Sequence, residues 1–170
     1  MRVARVAAAL AIFGAMTAGA QDQAERAAQA ARWMKASVDQ ISANIASVTE
    51  AGEKERWQAN VQMWKRMVTH LAAATSADVG QMTADLNVIK ANVARVTDAD
   101  ERGRWQANVN LWETLLALKE KALREDLDKL DSLRVAIFEN VRKLPVCPEK
   151  ERWNANQVLW QQMVEQIPRA

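Results

Sequence analysis

Residues 56–64 read RWQANVQMW, and nearly the same stretch returns as RWQANVNLW at 104–112 and as RWNANQVLW at 152–160. Each copy lies 48 residues after the one before it, and the alignment of the copies needs no gap. Because tryptophan is a rare residue, two tryptophan positions that coincide in all three copies indicate an internal repeat. The two tryptophans and the asparagine between them lie at i, i+3 and i+7, so they share one face of a predicted helix.

Five positions define this repeat: an asparagine in its first half, and an arginine, a second asparagine and two tryptophans in its second half. In chain order they are Asn44, Arg56, Trp57, Asn60, Trp64, Asn92, Arg104, Trp105, Asn108, Trp112, Asn140, Arg152, Trp153, Asn156 and Trp160. We interpret them as structural residues, because tryptophan at helical spacing is typical of a core.

Each repeat divides into two helical halves. The first half carries apolar residues at spacings of four and three, such as Met34, Val38 and Ile41, which predict one buried helix face. The third copy departs from this pattern, since one apolar step is shifted to Leu133 and the polar Gln157 occupies an apolar position of the second half. A break follows each first half, at residues 49–52, 97–100 and 145–148, and the last of these contains two prolines that stop a helix. Each repeat therefore predicts an αα-hairpin.

The predicted fold is all-α, with three αα-hairpin repeats of 48 residues that form either a six-helix bundle or a short α-solenoid. The predicted domain spans residues 21–170, with repeats at about 28–75, 76–123 and 124–170. The predicted helices are 22–48, 53–75, 78–97, 100–123, 126–144 and 149–167. Residues 119–131 contain no glycine or proline, so the sequence permits either a turn or one continuous helix there.

Residues 1–20 have the pattern of a signal peptide, with Arg2 and Arg5 before an apolar stretch and small residues at Ala18–Ala20. The apolar stretch is too short to span a bilayer. The chain has 23 basic and 21 acidic residues, so cleavage after Ala20 would leave 21 of each sign. A neutral, mixed surface does not favour nucleic-acid binding, and we expect no stable membrane insertion after cleavage.

Two arrangements account for the polar residues of the repeat. Asn44 and Asn60 lie at comparable distances from the hairpin turn, so we expect them to meet and to accept the indole N–H groups, which would fix the register of the hairpin. Alternatively, the tryptophan faces line an open groove for a ligand.

The repeated arginines allow three arrangements. Arg56 follows Glu53 by three residues, which allows an ion pair within the helix, a bridge to a neighbouring hairpin, or a row of arginines that binds an anion.

The sequence offers few residues for catalysis or metal binding. His70 is the only histidine and Cys147 the only cysteine, so no histidine–cysteine cluster is available for a metal, and we expect no catalytic residue and no cofactor. We interpret His70 as an ordinary helix residue. Cys147 has no partner in the chain, which leaves a free thiol or a disulfide-linked dimer.

These features favour a secreted or periplasmic non-enzymatic protein that acts as an interaction or structural module. Its expected partner is another protein or a second copy of the chain. The alternative function is the binding of a small molecule, a lipid or a glycan by the tryptophan-lined helix faces.

Overall fold

The computed structural model describes residues 18–73, 78–118 and 122–167, and this part of the chain forms six α-helices. The helices are α1 (Ala18–Asn44), α2 (Ala51–Ala73), α3 (Val79–Val93), α4 (Ala99–Ala117), α5 (Arg124–Val141) and α6 (Pro148–Gln166), with a short 3-10 helix at Ile45–Ser47. The predicted all-α class is confirmed. Most of the predicted signal peptide, residues 1–17, lies outside the described residues, and α1 begins at Ala18.

The helix starts follow from local chemistry. Asp78 and Asp98 each precede a helix, and their carboxylates accept the backbone N–H groups of Gln81 at 2.9 Å and Glu101 at 2.7 Å. Such capping pairs donors that the first helical turn cannot satisfy by itself. Pro148 is the first residue of α6, where its missing N–H costs nothing.

Three helices end at least four residues earlier than the sequence predicts. The helix predicted for 22–48 ends at Asn44, and the 3-10 turn after it turns Ile45 into the core. The helix predicted for 78–97 ends at Val93, and the one predicted for 100–123 ends at Ala117. Leu118, the residue after the end of α4, has an extended backbone and a buried side chain. A break therefore separates α4 from α5, and residues 119–121 within it lie outside the described residues.

The six helices form a closed bundle and not a solenoid. The first helix, α1, packs against both α2 and the last helix α6, whereas the ends of a solenoid stay apart. Similarly, α3 packs against α2 and α4, and α5 packs against α4 and α6. The helices α2, α4 and α6 thus occupy the centre, and each outer helix covers the groove between two of them. Among the described residues, no helix is long and apolar enough to cross a membrane.

Candidate functional site

The centre of the bundle contains two triangles of tryptophan, one from each tryptophan position of α2, α4 and α6. In the first triangle Trp57, Trp105 and Trp153 have no exposed surface, and their ring centroids lie 4.8–4.9 Å apart with interplanar angles of 64–66°. This edge-to-face packing is a favourable geometry for aromatic rings. The rings of the second triangle lie 4.5–4.7 Å apart and are also fully buried; they belong to Trp64, Trp112 and Trp160. Because both positions meet their equivalents, the three central helices run parallel.

A closed ring of three asparagines lies between the two triangles. The side-chain amide of Asn60 donates to Oδ1 of Asn156 at 3.0 Å, Asn156 donates to Asn108 at 3.0 Å, and Asn108 donates to Asn60 at 3.1 Å. All three side chains are fully buried. A buried amide without partners destabilises a fold, so each asparagine depends on the other two.

The same oxygen atoms also accept the indole N–H groups of the second triangle. Each Oδ1 therefore accepts two hydrogen bonds, which matches its two lone pairs. The indole distances are 2.8 Å for Trp64 to Asn156, 2.9 Å for Trp112 to Asn60 and 2.9 Å for Trp160 to Asn108. Every one of these bonds joins two different central helices, so the network ties the three helices together.

The expected contact between Asn44 and Asn60 is wrong. Asn60 points to the bundle axis, where the other central helices supply its partners, whereas α1 lies on the outside of α2. Asn44, at the end of α1, instead donates to the Glu151 carboxylate on α6 at 3.2 Å.

Asn92 and Asn140 are placed like Asn44, at the end of an outer helix and beside the start of a central helix. Asn92 donates to the Glu55 carboxylate on α2 at 3.1 Å. Asn140 accepts from the Arg104 guanidinium on α4 at 2.7 Å. The first-half asparagines therefore connect outer helices to central helices, and the second-half asparagines connect the central helices to one another.

The arginines of the repeat bridge neighbouring central helices at the end where these helices begin. Arg104 lies 2.7 Å from Glu149 on α6, and this guanidinium is only 4% exposed. The other two pairs join α2 to α4 at 2.5 Å and α6 to α2 at 2.6 Å; they are Arg56–Glu101 and Arg152–Glu53. Of the three arrangements expected for these arginines, the structure has the bridge to a neighbouring hairpin. Each guanidinium is engaged by a carboxylate, so the arginines do not form an open anion-binding row.

Stacking on the first tryptophan triangle adds to the placement of these arginines. The Arg56 guanidinium carbon lies 5.5 Å from the Trp105 ring centre, and that of Arg152 lies 5.5 Å from the Trp57 ring centre. Cations at this distance are attracted by the ring face. Burial raises the pKa of Glu101 above its ordinary value, although the charge of Arg56 opposes this shift. The carboxylates of Glu53 and Glu149 also raise the pKa of Glu101, as expected for three acids near one axis.

The indole N–H groups of the first triangle were expected to pair with asparagine, and they do not. Nε1 of Trp57, Trp105 and Trp153 is buried and has no hydrogen-bond partner among the residues that the structure describes. The asparagine ring is one turn away and its acceptors are already taken by the second triangle. The face of a neighbouring ring is the remaining weak acceptor in an edge-to-face triangle.

His70 lies on α2 and is only 2% exposed, and burial lowers its pKa below the ordinary value of 6.5. The unfolded chain therefore binds a proton more readily than the folded chain, and stability should fall as the pH drops below about 6.5. His70→Leu removes the titratable group and places an apolar side chain at this buried helical position. We expect His70→Leu to lose less stability than the wild type between pH 7.5 and pH 5.5, as measured by urea unfolding. Equal losses of stability in the two proteins would contradict a lowered pKa of His70 in the folded protein.

Cys147 precedes the first residue of α6 and is partly buried. It forms no disulfide within the described residues, in agreement with its lack of a partner cysteine in the sequence. The disulfide-linked dimer stays a prediction.

An apolar groove of about 530 Å³, which the sequence did not predict, lies on the surface between α5 and α6. Its walls include Val135 and Phe138 on α5 and Val158 on α6, whose exposed fractions are 58%, 53% and 46%. The shifted Leu133 and the polar Gln157 were the signals that could have found it.

The part of the chain described by the structure contains no cluster of three or more His, Cys, Asp or Glu side chains placed to bind a metal ion. No family model, curated protein or solved structure matches the chain.

Proposed function

We propose that this chain is a secreted or periplasmic non-enzymatic interaction module, built from three copies of one 48-residue αα-hairpin that close into a rigid bundle. Its outer surface contacts the partner, and its repeated tryptophan and asparagine residues in the interior hold the bundle together. The partner is another protein or a second copy of this chain. The signal-peptide pattern of residues 1–20 supports export of the protein.

Contacts between equivalent positions support the repeat as the structural unit. The hydrogen bonds from Asn108 to Asn60 and from Asn156 to Asn108 each join residues that are 48 positions apart. The third bond, from Asn60 to Asn156, closes the ring across 96 positions. A ring of this kind needs three equivalent asparagines at the same depth, which three copies of one hairpin supply.

Burial of the repeat residues supports an interaction module over a carrier for small molecules. The six repeat tryptophans have no exposed surface, so their faces are already occupied by one another. A ligand groove lined by these rings would require the bundle to open. The single observation that carries the proposal is that the three fully buried asparagine side chains bind each other, while an apolar groove is open on the outer surface.

Site-specific photo-crosslinking in the organism that encodes the chain tests this function. We expect a photoreactive benzophenone amino acid in place of Val135 to form a covalent adduct with a polypeptide, because this residue lies in the exposed groove. The matched control is the same substitution at Asn87, which is exposed at the equivalent place on α3. The readout is the mass of the adduct after purification under denaturing conditions.

Adducts from position 135 and not from position 87 would support a polypeptide partner at this groove. Adducts with only a lipid or a small molecule would favour the carrier function instead. If neither position yields an adduct, the interaction function is contradicted at this groove.

A further inference from the structure

The exposed apolar side chains around the groove are specific to the third hairpin. The positions of Val135, Phe138 and Val158 carry polar residues in the first two hairpins. These residues are Asp39, Ser42 and Gln62 in the first hairpin, and Asn87, Lys90 and Asn110 in the second. The first two hairpins therefore fold with polar residues at these positions. Apolar residues there are not needed for folding, and an exposed apolar patch of this kind is typical of a binding surface.

The interior of the third hairpin has changed in the opposite direction. Arg134 and Gln157 occupy positions that are apolar and buried in the other hairpins, where the residues are Val38, Leu86, Val61 and Val109. The Arg134 side chain is 25% exposed, and its Nε has no hydrogen-bond partner among the described residues. Compared with the first two hairpins, the third therefore has polar residues at two inner positions and apolar residues at three outer positions. Leu133, next to Arg134, packs against the core, and the outer surface of this hairpin is apolar at Val135, Phe138 and Val158.

The outer surface of α5 carries a stripe that is complementary to itself. Asp131, Val135 and Phe138 lie in α5, and Arg142 is the residue after its end, with a helical backbone (φ −55°, ψ −31°). Their spacings of four, three and four place the four residues along one face, as in a coiled-coil seam. We call these four residues the α5 stripe. All four are exposed. One end of the stripe is negative, the middle is apolar and the other end is positive.

A second α5 stripe that runs antiparallel across a two-fold axis is complementary to the first in both its charged ends and its apolar middle. Val135 of one copy then lies opposite Phe138 of the other, and Asp131 lies opposite Arg142. A two-fold axis creates each of these contacts twice. The present partners of the two charged ends do not prevent this pairing. Asp131 lies 2.9 Å from Arg134, whose side chain is 25% exposed, and Arg142 lies 3.0 Å from Glu139 in an exposed pair. Both pairs join residues three positions apart on one helical segment, and such pairs contribute little to stability.

We propose that the α5 stripe binds a second copy of this chain, as an antiparallel two-fold dimer in which α5 packs against α5. Val158 on α6 extends the apolar surface beside the stripe. This inference rests on the proposed function and names the partner. A contact of one helix face is small among protein interfaces, so the dissociation constant is expected to be on the order of micromolar.

Charge exchange tests the antiparallel register directly. The experiments use residues 21–170, the chain expected after signal-peptide cleavage, with Cys147→Ser so that no disulfide can produce a dimer. Sedimentation equilibrium measures the dissociation constant of the dimer. Asp131→Arg places two arginines opposite each other at both ends of the interface, and Arg142→Asp places two aspartates there. We expect each single variant to dimerise at least about tenfold more weakly than the parent, because like charges oppose each other across the interface.

The two single variants mixed in equal amounts should dimerise again, because an arginine at position 131 of one copy then faces an aspartate at position 142 of the other. The unchanged Arg142 and Asp131 form the pair at the other end. The double variant Asp131→Arg/Arg142→Asp should recover dimerisation by itself for the same reason. Recovery in the mixture excludes misfolding as the cause of the losses, since misfolded chains do not rescue each other.

The apolar middle of the stripe has its own matched pair of variants. Phe138→Lys introduces the residue that the second hairpin carries at this place, Lys90, and should leave the protein monomeric. Val88→Lys changes an exposed apolar residue on α3, and should leave the dissociation constant unchanged.

A parent protein that stays monomeric at several hundred micromolar would overturn the second copy as partner, as would charge variants that fail to rescue each other. The proposed function would survive that result if position 135 crosslinks to a different polypeptide in the cell. It would fail together with the inference only if position 135 yields no polypeptide adduct at all.

Discussion

Trp105→Ala is expected to lower the free energy of unfolding by about 3–5 kcal/mol, the usual cost of removing a large buried aromatic side chain. The Trp105 ring contacts Trp57 and Trp153 at centroid distances of 4.8 and 4.9 Å, and the Arg56 guanidinium lies over its face. Alanine removes all three contacts and leaves a cavity at the centre of three helices. Since small domains are stable by about 5–15 kcal/mol in total, the loss should be evident in a urea or thermal unfolding curve.

Trp33→Ala is the matched control for this change. Trp33 is the one tryptophan outside the repeated positions, and 58% of its surface is exposed, so its removal should change stability by no more than about 0.5 kcal/mol. If Trp105→Ala does not fold, Trp105→Phe is measured in its place. This variant keeps an aromatic ring, and we expect it to lose more stability than Trp33→Ala. An unchanged melting temperature for Trp105→Ala would mean that the tryptophan triangle is not part of the core.

Asn108→Ala is the second change with a large expected effect, about 3–5 kcal/mol of destabilisation. Without its side chain, the amide of Asn156 and the indole N–H of Trp160 lose their acceptor inside the protein. Each buried donor without a partner costs about 1–3 kcal/mol, and the small cavity adds to this cost. Urea unfolding of the purified variant measures the loss.

Asn110→Ala is the control for this variant, because Asn110 lies on the same helix α4 two residues away. Its side chain accepts one hydrogen bond from Gln106 at 3.1 Å near the surface, where water replaces a lost partner. We expect its stability to stay within about 0.5 kcal/mol of the wild type. Similar losses in the two alanine variants would show that the asparagine ring contributes no more than a partly buried asparagine outside it.

The helices could be predicted from the sequence because the signals for them are local. The spacings of four and three between Met34, Val38 and Ile41 indicate the helical period, and the prolines at 145 and 148 indicate a break. The end of α4 could not be predicted in this way. Residues 118–123 continue a helical composition, whereas in the structure α4 ends at Ala117 and the next residue, Leu118, is extended and buried in the core.

The core position of the tryptophans was also predictable, whereas the partners of the polar side chains were not. The spacing of Trp57, Asn60 and Trp64 shows that they share a face, and that face proved to be buried. The partner of Asn60, however, depends on which helices surround that face. The nearest candidate in sequence was Asn44, and the partners in the structure, Asn108 and Asn156, lie 48 and 96 residues away.

The sequence by itself therefore determined the helical class, the positions of the breaks and the common face of the repeated tryptophan and asparagine residues. Each of these depends on neighbours within a few residues along the chain. The tertiary structure alone decided that the bundle closes, that the asparagines form a ring and that the arginines pair between helices. Those contacts join residues far apart in sequence, and they form only because α1 packs against α6 and so brings three parallel helices around one axis.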